Sequence, residues 1–145
     1  MGREILNTYK AELTKKTGFR SEVNMRDFSI TIDEPKRVGG TDTGPSPVEV
    51  FLGSLGACLD FTATIVAKEM GYDLKEFKLE IEGDLDPRGV MGKEGIPVGF
   101  QSIRVNVKEI EGIPEDELSS FLKMIQSRCP VDNTIENGVD VVLRG

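Results

Sequence analysis

Two cysteines, Cys58 and Cys129, are the residues of this chain best suited to covalent chemistry. A thiolate is a nucleophile and an electron donor, whereas a free thiol among apolar side chains is a small hydrophobe. The sequence contains no histidine. That excludes Ser-His-Asp and Cys-His hydrolysis and the usual zinc hydrolases, and it denies either cysteine an imidazole base. The two are not spaced as CxxC, so a disulfide between them has to join two distant elements in space. Cys58 falls in the middle of a predicted helix, far from its positive end. Cys129 ends another helix, where the dipole disfavours an anion, although it can also cap a short turn starting at Pro130. Either thiol therefore needs a guanidinium or ammonium group nearby to lower a pKa that starts at about 8.5.

The element that must position Cys58 spans residues 46–71. Ser46 is a helix cap, Pro47 suits the first helical position, and Glu49 completes a capping box. Lys68 in the last turn and Gly71 at a left-handed C′ position end the helix. Phe51, Leu55, Cys58, Thr62 and Ile65 form one stripe at helical spacing, with Leu52, Leu59, Phe61 and Val66 on other faces. The pattern predicts a helix buried almost all round. Gly53, Ser54, Gly56 and Ala57 make a small-residue patch that another backbone can approach.

In chain order, residues 5–13 and 20–23 read as short strands separated by a turn at 15–18. Residues 27–33 alternate as a half-buried strand, ended by Glu34 and Pro35. Residues 39–44 (GGTDTG) form a loop into the capped helix. This loop lacks the Gly-Lys-Ser/Thr ending of a phosphate cradle, so positioning the helix start is its better reading. Residues 74–84 and the Ile103, Val105, Val107 alternation are two antiparallel strands. The glycine- and proline-rich stretch 87–99 between them is a lid or a hairpin connection. Residues 114–129 form a second helix, with Leu118, Phe121, Leu122 and Ile125 on one face and Pro130 as its stop. Residues 139–143 (VDVVL) close the chain as a strand. The order β-β-β-α-β-β-α-β gives an α+β fold.

Composition sets further bounds. The 145 residues fit one domain spanning 1–145, and no repeat or linker divides them. A formal net charge of −7 argues against nucleic acid and against an anionic membrane surface. The long helix carries Asp60 and charged flanks, which argues against a membrane span. The first ten residues spread their charges and have no apolar core, unlike a signal peptide. Two cysteines in that context point to a reduced, cytoplasmic setting.

Three segments together carry a family resemblance: GGTDTGPSPVEVFLGSLGACLDF, then GDLDPRG with GIPVGFQSIRV, then CPVDNTI. In order and spacing, from about Tyr9 to Leu143, the chain resembles the OsmC/Ohr family of thiol-dependent peroxidases. The resemblance implies an OsmC-like fold, with antiparallel sheets wrapped around a long central helix in an intertwined homodimer. It implies a peroxidase that reduces organic hydroperoxides through a cysteine sulfenic acid and an intrachain disulfide. Cys58 would be the peroxidatic thiol and Cys129 the resolving one. Arg20, in GFRSEV, matches the arginine that steadies the thiolate and polarises the peroxide; read alone, it is an exposed strand charge. A dithiol such as a lipoyl-protein would re-reduce the disulfide, and no metal or prosthetic group is required. Apolar surroundings at Cys58 favour an alkyl peroxide over hydrogen peroxide.

The sequence departs from the peroxidase branches at one place. Their arginine-orienting carboxylate follows directly after the proline, where this chain has Val48. Glu49 is one residue later, about 100° further round the helix. It takes the arginine-orienting role only with a shift. Two other readings remain open on these residues. One is a non-catalytic protein that binds a small hydrophobic ligand with its cysteines as packing. The other is a hot-dog thioesterase, against which the distant C-P-V and the single Asp60 speak.

Overall fold

The computed structural model describes residues 2–145. The chain forms two compact units, one ending at Val50 and the other beginning at Phe51. The N-terminal unit holds a three-stranded antiparallel sheet, β1 (Glu12–Lys15), β2 (Ser21–Met25) and β3 (Phe28–Ile32), in the order β1-β2-β3. The first strand is displaced from the expected residues 5–13, since Ile5, Leu6 and Tyr9 are exposed coil and pairing with β2 runs from Glu12 to Lys15, into the expected turn. The turn between β1 and β2 contains Gly18 at a φ of 57° and ends at Arg20, whose N–H donates to the Thr17 carbonyl at 2.9 Å.

Beyond β3, a fully buried carboxylate organises the loop into the long helix. Asp33 accepts hydrogen bonds from the N–H groups of Glu34 (2.8 Å), Thr41 (3.1 Å) and Thr43 (3.2 Å). The hydroxyls of Thr43 (2.9 Å) and Thr41 also donate to it. These donors hold its carboxyl far below the usual range, the Thr41 hydroxyl contributing most. Gly40 is required here, because a Cβ would lie 1.9 Å from the Glu34 carbonyl oxygen. The GGTDTG stretch is thus a structural clasp on an aspartate.

Helix α1 (Pro47–Glu69) starts with the expected capping box. The Ser46 N–H donates to Glu49 at 2.9 Å and the Glu49 N–H donates to the Ser46 hydroxyl at 3.3 Å. It ends in a Schellman arrangement: Gly71, at a φ of 82°, donates to Lys68, and Tyr72 donates to Ala67.

In the C-terminal unit, β4 (Glu76–Asp84) and β5 (Ser102–Glu111) pair antiparallel from Glu76↔Glu111 to Asp84↔Ser102, with one irregularity after Lys78. Because pairing runs up to Asp84 and Ser102, residues 87–99 are the connection of a hairpin. Phe100 at its base stacks on Phe51 of α1, with ring centroids 5.8 Å apart. Helices α2 (Leu118–Arg128) and α3 (Pro130–Asn137) complete the unit.

One core cluster joins Ala63, Val66 and Ala67 of α1 to Phe121 and Ile125 of α2. A second joins Leu55 and Leu59 to Cys129. The buried stripe of α1 runs through Leu55, Leu59, Thr62, Ala63, Val66 and Ala67. It is rotated from the Phe51–Cys58–Ile65 stripe, which sets Ala63 and Ala67 in one cluster with Phe121 and Ile125 of α2. Gly56 lies against β4, where a Cβ would meet Ile81 at 2.6 Å. The expectation of burial all round is corrected: Phe61 is 62% exposed, and nothing lies within 4 Å of a Cβ built on Gly53.

Two further expectations are corrected. Pro130 does stop α2, but it also starts α3, since proline suits a first helical position and holds Cys129 extended (φ −77°, ψ 116°). Residues 139–143 form no strand. Val141 and Leu143 are 90% and 99% exposed, and among the described residues no sheet edge pairs with them. The observed order is β-β-β-α-β-β-α-α, and the α+β class stands.

Candidate active site

Helix α1 carries Cys58 at mid-length, three residues past Leu55 on the side facing the second core cluster. The Cys129 end of that cluster is set by the break between α2 and α3. The extended backbone at Cys129 makes it the N-cap of α3, and its carbonyl accepts from the Asn133 N–H at 2.9 Å. Val131 and Ile135, one helical turn apart, pack α3 onto the same cluster.

These elements bring the two thiols into contact. Cys58 is half-buried, Cys129 is wholly buried, and both are free. Cys58 packs against the cluster that holds Cys129. Burial pushes the Cys129 thiol up, and Cys58 beside it adds to the rise. The N–H groups of Asp132 and Val131 at the start of α3 pull the other way. The alternative left open by the sequence, a cap at Pro130, is therefore the one the fold uses.

Arg20 belongs to the other unit, in the β1–β2 turn, where it is exposed and forms no salt bridge among the described residues. Glu49 is occupied by the helix cap. Its carboxyl is held low chiefly by the Ser46 N–H and hydroxyl, and the cation that assists is Arg37. Arg128, next to Cys129 in sequence, is committed to Glu69 through two hydrogen bonds of 2.7 and 3.0 Å.

A polar group that the sequence reading missed lies on α2 and α3. Asp132 is 9% exposed, and burial above all, then the neighbouring Glu136, raises its carboxyl. Gln126 donates to Glu136 at 3.3 Å. The signal was present in CPVDNTIEN, where two acids stand four residues apart behind a helix-starting proline. These residues edge a cavity of about 450 Å³ between the β4–β5 hairpin and the three helices.

Comparison with known proteins agrees with this architecture. The family model described as OsmC-like protein matches residues 40–144. An uncharacterised protein of Acinetobacter baylyi is 28% identical over 133 residues, covering 88% of this chain and 86% of that one. The OsmC-like protein of Mycoplasma pneumoniae has a TM-score of 0.77 at 22% identity, over 91% of this chain and 89% of its own. An organic hydroperoxide resistance protein OsmC of Legionella pneumophila has a TM-score of 0.69 at 21% identity, over 94% of this chain and 95% of its own. The segment matched by the family model takes in all of α1 and both cysteines, and the chain belongs to the OsmC-like protein family.

Proposed function

We propose that this protein is a cysteine-based peroxidase that reduces organic hydroperoxides. The observation that carries the reading is the contact between a half-buried Cys58 and a fully buried Cys129, both reduced. Accessibility orders the two roles. A peroxide meets Cys58 first, and Cys129 reacts only with what Cys58 becomes.

In the first step the Cys58 thiolate attacks the distal peroxide oxygen. The O–O bond breaks, the alcohol leaves with a proton, and Cys58 becomes a sulfenic acid. The Cys129 sulfur then attacks the Cys58 sulfur, and hydroxide leaves as water with the Cys129 proton. An intrachain disulfide remains. A dithiol such as a lipoyl-protein returns it to two thiols by exchange, which suits a reducing cytoplasm. The cation assigned to the thiolate and the peroxide is Arg20, whose guanidinium pairs with no carboxylate among the described residues. Glu49 acts chiefly by fixing the start of the helix that bears Cys58. The Leu55, Leu59 and Ile81 side chains packed at the thiols favour an alkyl substituent over hydrogen peroxide.

The expected result is multiple-turnover consumption of cumene hydroperoxide with dihydrolipoamide as reductant, and slow consumption of hydrogen peroxide. Absence of turnover with both peroxides rejects the reading.

The single domain assigned to residues 1–145 is, in this proposal, completed as a homodimer. Support comes from the open face of α1 around Gly53 and Phe61 and from the exposed apolar segment 139–143. Light scattering at micromolar concentration should give twice the chain mass, and Phe61→Asp should lower it toward one. A wild type that remains monomeric contradicts the dimer.

A further inference from the structure

We propose that the cavity between the β4–β5 hairpin and helices α1 to α3 binds a small apolar molecule that ends in an ammonium group. Its volume of about 450 Å³ lies in the range of small-molecule sites. Leu59, Leu79, Ile103, Val105 and Ile135 make most of its wall apolar. Among the described residues, Gln101, Ser102 and Gln126 are the polar but neutral members of the wall, and Asp132 and Glu136 are its charged ones.

These two acids stand one helical turn apart on α3, on the same face. Among the described residues neither forms a salt bridge with a lysine or arginine. Gln126 donates to Glu136 at 3.3 Å, and Glu136 and Gln126 both lie at the Asp132 carboxyl. Two carboxyls share this end of the cavity with no lysine or arginine in its wall, and an ammonium group supplies a cation there. The same pair repels a carboxylate. An alkyl chain on the ammonium fills the apolar end. Neither thiol lines the cavity, so the inference stands apart from the peroxidase reading.

The test is calorimetric titration of the full-length wild type at neutral pH with n-octylammonium, 1-octanol and octanoate, each below its aggregation limit. Octylammonium should bind at least about tenfold more tightly than octanoate, with octanol between them. Each methylene removed from the amine should weaken binding roughly two- to fourfold. Glu136 is exposed, so Glu136→Gln is expected to keep the fold. It should reduce octylammonium affinity at least fivefold and leave octanol unchanged. Val105→Trp, which fills the cavity, should weaken all three ligands. The proposal is overturned if octanoate binds as well as octylammonium, if Glu136→Gln changes nothing, or if octylammonium shows no saturable binding at millimolar concentration.

Discussion

Cys58→Ser is expected to lower the rate of organic hydroperoxide reduction by at least about 10³-fold, while circular dichroism and melting temperature stay close to wild type. The reason is chemical. A serine hydroxyl fits the half-buried mid-helix position but does not ionise near neutral pH and is not oxidised by a peroxide. The site also offers no second nucleophile to replace it. Cys129 is wholly buried, and its thiol is pushed up by burial. A residual rate within tenfold of wild type in Cys58→Ser would mean that Cys58 is not the attacking atom. Steady-state peroxide consumption with dihydrolipoamide in excess distinguishes the two results.

The largest effect on stability is expected at Asp33. Asp33→Ala removes the acceptor for five donors from Glu34, Thr41 and Thr43, releasing the loop that these part-buried bonds clasp to a wholly buried position. The melting temperature at pH 7 should fall by on the order of 10 °C. Asp33→Asn should fall by a similar amount, since its amide turns a donor toward donors. The pH dependence follows from the depressed folded-state carboxyl. Its stabilisation is fully present above the unfolded-state value of about 4 and is lost as pH falls from there toward the folded-state value. Wild type should therefore lose stability steeply below about pH 4, and the variant should lose less. Thermal melts of both between pH 7 and pH 2.5 measure the difference. Equal slopes would mean that Asp33 is not ionised in the clasp.

Much of the fold was legible where chemistry is local. Ser46, Pro47 and Glu49 encode the start of α1, and Gly71 encodes its end, because a cap is decided within a few residues. The alternation through Phe77, Leu79 and Ile81 marked β4 for the same reason. Orientation was harder to read. Helix α1 is apolar on several faces, so periodicity could not show that Ala63 and Ala67, rather than Phe51 and Ile65, face the core. Helix α3 was missed because only Val131 and Ile135 give it an apolar face, and the proline before them read as an end.

Residues 139–143 show the reverse error. Their pattern is that of a strand, yet strand formation needs a paired edge, and none among the described residues pairs with them. For the candidate site, the two thiols could be named from residue type, but their contact is a tertiary fact. It depends on the break at Cys129, which turns that residue from the end of one helix into the cap of the next. The acids at 132 and 136 became visible as a pair only once α3 was placed.

The most direct test of the dithiol account is a count of free thiols on fully reduced protein before and after one equivalent of cumene hydroperoxide, with Cys129→Ser treated in parallel. The account predicts rapid loss of both thiols in the wild type, with one disulfide joining Cys58 to Cys129 in the peptide map. In Cys129→Ser it predicts a sulfenic acid trapped at Cys58. Survival of both thiols after the peroxide is consumed or left intact would contradict the account.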